Sequence, residues 1–234
     1  CPNRFGVFAP SAELEVVMIV CWSVKGGSGT TVVAAALALV LAQRHEAGAR
    51  LIDMSGDTPS ALGMSEPASE GIAEWLSATD HPGADALNNL MLPVTAHLGV
   101  IPRGRNIIVP SQLNPDRLRD LALAVAQSPM PTVIDAGSGL ATIPILLHAT
   151  RSLLIIRPCY LALRRASLLT TPPHGVIVIT ESGRALGVHD VESVVGAPVL
   201  AEIPFDPAIA RAVDAGLLAG RVPTLLAKHL VDVC

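Results

Sequence analysis

From Met18 onward, short apolar runs alternate with longer stretches in which apolar residues recur at helical spacing. The pattern predicts strands at 17–23, 50–54, 98–102, 131–136, 152–157, 175–180 and 198–203. It predicts helices at 31–44, 71–78, 115–127, 140–149, 161–169, 190–195, 207–215 and 224–231. The strand runs are apolar on both faces, which is typical of parallel strands covered by helices on either side. We therefore expect an α/β fold with a doubly wound, mostly parallel sheet and helices on both faces.

The chain divides into a short leading segment and one domain. Residues 1–15 come before the first predicted strand and are treated as a tail or linker of uncertain origin. Residues 16–234 contain no internal repeat, low-complexity tract or linker, so we expect them to form a single domain.

A glycine-rich loop, VKGGSGTT at 24–31, follows the first predicted strand and leads into the apolar run 32–42. Gly26, Gly27 and Gly29 permit backbone conformations that turn successive N–H groups toward one anion, and a helix starting near Thr31 adds its positive end. Lysine occurs only at two positions against fourteen arginines, which sets Lys25 apart from the background composition. The loop is therefore expected to bind phosphate.

The usual phosphate loop has the pattern G-x-x-x-x-G-K-[ST], and this chain departs from it twice. Val24 stands in place of the first glycine and Thr30 in place of the lysine, whereas Thr31 keeps the hydroxyl that binds magnesium. The resulting pattern, K-G-G-x-G-x-T, resembles the deviant Walker A ATPases of the ParA/MinD type, which are three-layer P-loop NTPases. Loss of the second lysine is similar to the degenerate loops of the CpaE/TadZ branch, whose members localise pili and septum sites.

The resemblance implies that ATP or ADP binds at the loop together with Mg²⁺. The cofactor-binding residues that it implies there are Lys25, Gly26, Gly27, Ser28, Gly29, Thr30 and Thr31, with Thr31 also on the metal. In this family the early lysine, here Lys25, reaches the partner's nucleotide in a dimer. A homodimer that forms with ATP, and a catalytic role for Lys25, are therefore implied.

Acidic residues end two of the predicted strands, at the edge of a parallel sheet where ligands bind. Asp135 lies in TVIDAG and resembles the family's switch II aspartate, which supports magnesium and senses the γ-phosphate. Asp53 ends LID and matches the first aspartate of switch I; the alternative is a carboxylate that caps the following turn. The second switch I aspartate falls on Ser55, and whether Asp57 replaces it stays open. Catalytic roles are implied for Asp53, Asp57 and Asp135, and metal roles for Asp53 and Asp135.

The segment AEIPFD at 201–206 resembles the family's base-binding loop. Together with Thr180 at the end of the preceding strand, Pro204 and Phe205 are implied to frame the adenine. The family's usual asparagine is absent, and an ordinary turn at Thr180 is the alternative.

Composition favours a cytoplasmic protein with an aliphatic core. Half of the residues are apolar but only six are Phe, Trp or Tyr, and the four cysteines have no metal-binding or redox spacing. The net charge of −4 gives no general attraction to nucleic acid or anionic lipid. DNA binding would need a local patch from the arginine pairs 103/105, 117/119 and 164/165, for which solvated surface arginines are the alternative. The amphipathic segment 225–231 has too little positive charge for a membrane helix, so packing on the domain is expected.

The sequence thus predicts an adenine-nucleotide-binding positioning or partitioning factor with weak or partner-stimulated ATP hydrolysis, which acts on a protein partner in a localised assembly. Two alternatives stay open. One is a pseudo-ATPase scaffold that localises a pilus, secretion or septum assembly through protein contacts. The other is a small-molecule kinase or ligase of the same fold, which would need a substrate pocket.

Overall fold

The computed structural model describes residues 17–65, 67, 69–139 and 143–233. Its strands form one sheet in the order β3-β4-β2-β5-β1-β6-β7-β8. The strands are β1 (Met18–Ser23), β2 (Ala49–Asp53), β3 (Leu92–Pro93), β4 (Leu98–Ile101), β5 (Thr132–Ser138), β6 (Arg151–Ile156), β7 (Gly175–Thr180) and β8 (Val199–Pro204). Only the short pairing of β3 with β4 is antiparallel. The predicted doubly wound, mostly parallel sheet is confirmed.

Helices cover both faces of the sheet and complete three layers. They are α1 (Thr30–Arg44), α2 (Thr58–Ala61), α3 (Ile72–Ser77), α4 (Ala84–Asn89), α5 (Pro115–Ala126), α6 (Ile143–His148), α7 (Tyr160–Ala166), α8 (Val188–Val195), α9 (Pro207–Asp214), α10 (Leu218–Leu225) and α11 (Ala227–Leu230). One core lies between the sheet and α3 to α8, and the other between the sheet and α1, α2 and α9 to α11.

The two cores follow from the alternation of side chains along each strand. In β1, Val20 and Trp22 face the first core, whereas Ile19 and Cys21 face the second. Because both faces are covered, a central strand must be apolar at every position, which is the pattern seen in the sequence.

The C-terminal segment differs from its prediction. We expected one helix at 224–231, but the chain forms α10 and α11, with a break at Leu226. Leu218, Val222, Leu226 and Leu230 recur every four residues and are at most 1% exposed in the core beside α1. The apolar face of this segment is therefore used inside the domain, and within the described ranges no helix is long and apolar enough to cross a membrane.

Other helix and strand bounds agree with the sequence pattern within a few residues. Residues 140–142, where a helix was predicted to begin, lie outside the described ranges. The pattern missed α2, α4, β3 and a 3-10 turn at Pro110–Gln112. These elements have two to six residues, which is too short for a period to be recognised.

Candidate functional site

The glycine-rich loop, residues 24–29, joins β1 to α1 at the carboxyl edge of the sheet. Gly27 and Gly29 have φ angles of 75° and 87°, in the left-handed region where other residues are strained. Apart from the glycine and its chain neighbours, no heavy atom of the described residues lies within 4 Å of the point where a Cβ would stand on Gly26 or Gly27. The loop thus has an open face next to the positive end of α1, as an anion site requires.

Serine hydroxyls hold the loop in shape from within. Ser23 Oγ and Ser28 Oγ donate to the carbonyl oxygen of Lys25 at 2.9 and 3.0 Å. The Ser28 residue is 2% exposed, so its implied part in cofactor binding would fall to its backbone. The Lys25 ammonium donates to the carbonyl of Gly26 at 3.0 Å, within its own loop. Its role across a dimer stays a prediction.

The two threonines at the start of α1 differ in their surroundings. Thr30 is 6% exposed, and its hydroxyl makes no hydrogen bond with another residue that the structure describes. The side chain of Thr31 is close enough to the carboxylate of Asp135 to offset part of the rise in its pKa. The structure therefore places the helix-start hydroxyl near the β5 carboxylate that the resemblance implied for magnesium.

Asp53 and Asp135 lie opposite each other in the register of β2 and β5, and both residues are fully buried. Ser55 Oγ lies between them, 3.0 Å from Asp53 Oδ1 and 2.8 Å from Asp135 Oδ2. Its single hydroxyl proton can serve only one of the two carboxylates at a time. Two buried acids therefore share a site that is short of positive charge.

The pKa values of Asp53 and Asp135 reflect this shortage of positive charge. Burial raises the pKa of Asp53 to about 6, and the charge of Asp135 adds to that effect. Burial likewise raises the pKa of Asp135, with a further contribution from the charge of Asp57. Asp57 is exposed to solvent, yet it is close enough to Asp135 for its charge to affect the pKa of that carboxyl. Perturbed carboxylates grouped at a strand edge are typical of functional sites.

Asp53 also caps the turn that follows its strand. Its Oδ1 accepts from the backbone N–H groups of Ser55 and Gly56, and its Oδ2 accepts from that of Thr58. The capping alternative weighed for this residue is therefore part of the arrangement. A role for Asp53 toward magnesium or in catalysis stays a prediction.

The side-chain oxygen atoms beside the glycine-rich loop suit a magnesium ion as ligands. Mg²⁺ prefers hard oxygen ligands and keeps several waters, so one hydroxyl and one carboxylate are enough protein ligands beside a phosphate. Thr31 and Asp135 supply that pair next to the open loop. The buried Asp135 carboxylate would gain most from a cation because burial disfavours its charged form.

An apolar cleft of about 280 Å³ opens beside the loop. Gly29 and Val32 form one wall, and the segment after β8, with Pro204 and Phe205, forms another. The backbone N–H of Phe205 donates to the Thr180 carbonyl at 2.7 Å, so this carbonyl already has a partner. The predicted residues 180, 204 and 205 thus lie together, and two of them line a cleft next to the phosphate loop.

Sequence reasoning missed Arg157 and considered Arg103 only for a DNA patch, whereas both lie around this edge. The guanidinium of Arg157 lies 4.6 Å from the ring centroid of Phe205 and donates to Glu181 at 2.8 Å. Arg103 Nη1 donates to the Ser55 carbonyl at 2.9 Å. These contacts join residues 24 to 48 positions apart, for which no local sequence signal exists.

The arginine pairs proposed for a DNA patch do not form one exposed surface. Arg117 is 3% exposed, donates to Asp120, and stacks 4.2 Å from the ring centroid of Trp75. The guanidinium of Arg117 is therefore not available to a DNA phosphate, as the patch would need. Arg117 is not a solvated surface residue either, which was the alternative. Arg119 is paired with Asp116 at 3.0 Å.

No family model matches the chain, and no curated protein matches it. Several solved structures, however, are similar to the chain. The ParA family ATPase from Chlorobium tepidum TLS is 23% identical over 94% of this chain and 98% of its own, with a TM-score of 0.76. The cell division protein MinD from Aquifex aeolicus is 16% identical over 93% of this chain and 94% of its own, with a TM-score of 0.72.

A third match is the septum site-determining protein MinD from Pyrococcus horikoshii OT3, solved with Mg-ADP. It is 19% identical over 93% of this chain and 94% of its own, with a TM-score of 0.70. At such identities the likeness is one of fold. The chain has the P-loop NTPase-like fold of the ParA and MinD structures.

Proposed function

We propose that this protein binds an adenine nucleotide with magnesium at the loop 24–31 and acts as a positioning or partitioning factor of the ParA/MinD type. The observation that carries the proposal is the Thr31 side chain at the start of α1, close enough to the Asp135 carboxylate to offset part of the rise in its pKa, beside the open glycine loop. The fold shared with nucleotide-dependent ParA and MinD proteins supports the same function.

Each part of the site has a chemical task in this function. The N–H groups of the loop and the start of α1 bind the phosphates, and the cleft beside Phe205 takes the base by apolar contact and stacking. Thr31 and Asp135 hold the magnesium, which when bound neutralises charge on the phosphate oxygens. Asp53 accepts hydrogen bonds from the backbone of the turn at 55–58, and it thereby holds this turn at the edge of the sheet where the nucleotide binds.

Hydrolysis is expected to be slow. Cations on the transferred phosphoryl group are worth roughly 10³-fold or more in rate, and Thr30 supplies none. Ser55 stands where the family has its second switch I aspartate, and its hydroxyl donates to one carboxylate at a time instead of accepting a proton from water. Asp57 is exposed and its charge contributes to the raised pKa of Asp135, so we assign residual turnover to it.

Titration of the purified protein with Mg-ATP and Mg-ADP in a calorimeter tests the proposal. We expect saturable binding of both nucleotides, with binding lost in Gly27→Val, because valine is strained at a φ of 75° and its side chain covers the open face. Ala219→Val, on α10, is a matched control that adds the same kind of side chain away from the site. The absence of heat with millimolar Mg-ATP in the parent would refute nucleotide binding.

We further propose that ATP drives formation of a dimer in which Lys25 reaches the partner's nucleotide. Its bond to the Gly26 carbonyl is partly exposed and gives only a modest stabilisation, so a phosphate can replace it. Because each ligand stabilises the state that the other prefers, ATP binding and dimer formation must strengthen each other.

Sedimentation with and without Mg-ATP measures this coupling. The parent is expected to form dimers with ATP, whereas Lys25→Ala is expected to remain largely monomeric and to keep its ADP affinity within about threefold. The distant Lys228→Ala serves as the charge-matched control. A parent protein that stays monomeric with ATP over a wide concentration range would contradict the dimer.

The second candidate function is a pseudo-ATPase scaffold that localises a pilus, secretion or septum assembly, close to the CpaE/TadZ branch. The observation that favours it is the replacement of two charged positions, Thr30 and Ser55, at the centre of the site. It becomes the better account if the titration detects no nucleotide while the fold remains intact.

A further inference from the structure

Arg165 holds a guanidinium group against the phosphate loop. Its Nη1 donates to the carbonyl oxygen of Val24, at the start of the loop, at 3.2 Å. The side chain is exposed, and no carboxylate among the described residues forms an ion pair with it. Its charge is therefore not neutralised within the part of the chain that the structure describes.

The topology explains why α7 can reach the loop. β1 and β6 are neighbouring parallel strands, so the loop after β1 and the start of α7 after β6 lie at the same edge of the sheet. Side chains on a helix lean toward its N-terminus, which for α7 is the end near that edge. Ala162 and Ala166 pack into the core and fix the side of α7 on which Arg165 stands.

The loop is short of positive charge for its proposed ligand. Thr30 replaces the lysine that normally meets the β- and γ-phosphates, and the Lys25 ammonium is turned onto the Gly26 carbonyl. Apart from Lys25, Arg165 is the cationic side chain for which the described residues show a hydrogen bond to the loop 24–29.

We infer that Arg165 is a phosphate-binding residue of this site, which supplies from α7 of the same subunit the positive charge that Thr30 does not. The inference rests on the proposed nucleotide binding. A guanidinium bonds more strongly to a phosphate than to a neutral carbonyl, so an incoming nucleotide draws Arg165 from Val24. Within the described ranges, the 3.2 Å bond to Val24 is the hydrogen bond that the Arg165 side chain would give up.

The adjacent arginine is a matched control for this residue. Arg164 lies on the same helix, is exposed and carries the same charge, but its guanidinium makes no hydrogen bond to the loop. We expect Arg165→Ala to weaken Mg-ATP binding about tenfold, the effect of losing one charge-assisted hydrogen bond at a partly exposed site. Arg164→Ala is expected to change it by less than about twofold, through long-range charge alone.

A comparison of nucleotides separates phosphate binding from support of the loop. AMP lacks the β- and γ-phosphates, so Arg165→Ala should weaken ATP several times more than AMP if the guanidinium contacts those groups. If the residue merely braces the loop through Val24, both nucleotides should weaken equally. The double variant Thr30→Lys with Arg165→Ala adds a second check, because a restored lysine should recover most of the lost ATP affinity.

The outcomes are distinct from failure of the proposed function. Nucleotide binding in the parent, with equal affinities in the Arg165→Ala and Arg164→Ala variants, overturns the inference and leaves the proposed function standing. An equal loss of ATP and AMP affinity also overturns it. If the parent binds no nucleotide, the proposed function fails, and the role of Arg165 fails with it.

Discussion

Asp135→Asn is expected to remove the magnesium dependence of ATP binding while making the nucleotide-free protein more stable. The carboxylate lies close to the Thr31 side chain and would be a metal ligand, so its loss should weaken Mg-ATP by about a hundredfold or more. Asparagine fits the same space and can still accept from the N–H of Gly137, as Asp135 does at 3.0 Å. Binding of ADP without magnesium is expected to change little.

The gain in stability follows from the sign of the pKa shifts. Burial raises the pKa values of both Asp53 and Asp135, so their charged forms destabilise the fold above those values. A neutral side chain at 135 removes that cost at pH 8, where we expect a gain on the order of 1 kcal/mol. The gain should fade as the pH falls through the raised pKa, because the parent carboxyl then becomes neutral as well.

Thermal unfolding at pH 8 and pH 5, together with titrations in magnesium and in a chelator, measures both effects. The midpoint should rise by about 2–4 °C at pH 8 for a chain of this length. Asp80→Asn is the control, since that residue is exposed and lies in the loop between α3 and α4. A lower midpoint in Asp135→Asn, or unchanged magnesium dependence, would count against this reading of the pair.

Thr30→Lys is expected to raise the affinity for Mg-ATP by about ten- to a hundredfold. A charge-assisted bond to phosphate is worth roughly 1.5–3 kcal/mol, and the parent lacks it at this position. Thr30 is 6% exposed, so the new side chain must extend from the start of α1 toward the open face over Gly26 and Gly27. Adenosine, which has no phosphate, should bind the parent and the variant equally.

Thr30→Met is the matched control, as its side chain is similar in length to lysine but carries no charge. We expect it to leave Mg-ATP affinity unchanged or slightly lower. Turnover in Thr30→Lys should remain well below that of an efficient ATPase, since Ser55 still occupies the switch I position. Rapid hydrolysis in the unmodified parent would show that neither Thr30 nor Ser55 limits the chemistry.

The site combines features that destabilise the nucleotide-free fold but suit the binding of a ligand. Buried carboxylates that repel each other, an open glycine loop and left-handed glycines all cost stability in the nucleotide-free fold. Their grouping at one edge of the sheet is therefore the strongest argument that the edge binds a ligand. The scaffold alternative would leave these costs without compensation.

The sequence by itself determined the layered fold and the phosphate loop. Strands buried on both faces must be apolar throughout, and helices that cover them have a period of their own, so the order of elements can be predicted from local pattern. The glycines of the loop are an equally local signal, because a residue without a Cβ adopts the positive φ angles found at Gly27 and Gly29 without strain. The shared location of Asp53 and Asp135 could be predicted, because the carboxyl ends of parallel strands meet at the same edge of a sheet.

Only the tertiary structure decided what those groups do to one another. The bridge from Ser55 to two carboxylates spans 80 positions, the stacking of Arg157 on Phe205 spans two helices and two strands, and Arg165 meets Val24 across 141 positions. It also turned Arg117, predicted as a surface cation, into a buried residue against Trp75. Such contacts depend on how strands are ordered in the sheet, and a hydrogen bond or charge pair between distant residues leaves no period or spacing in the chain.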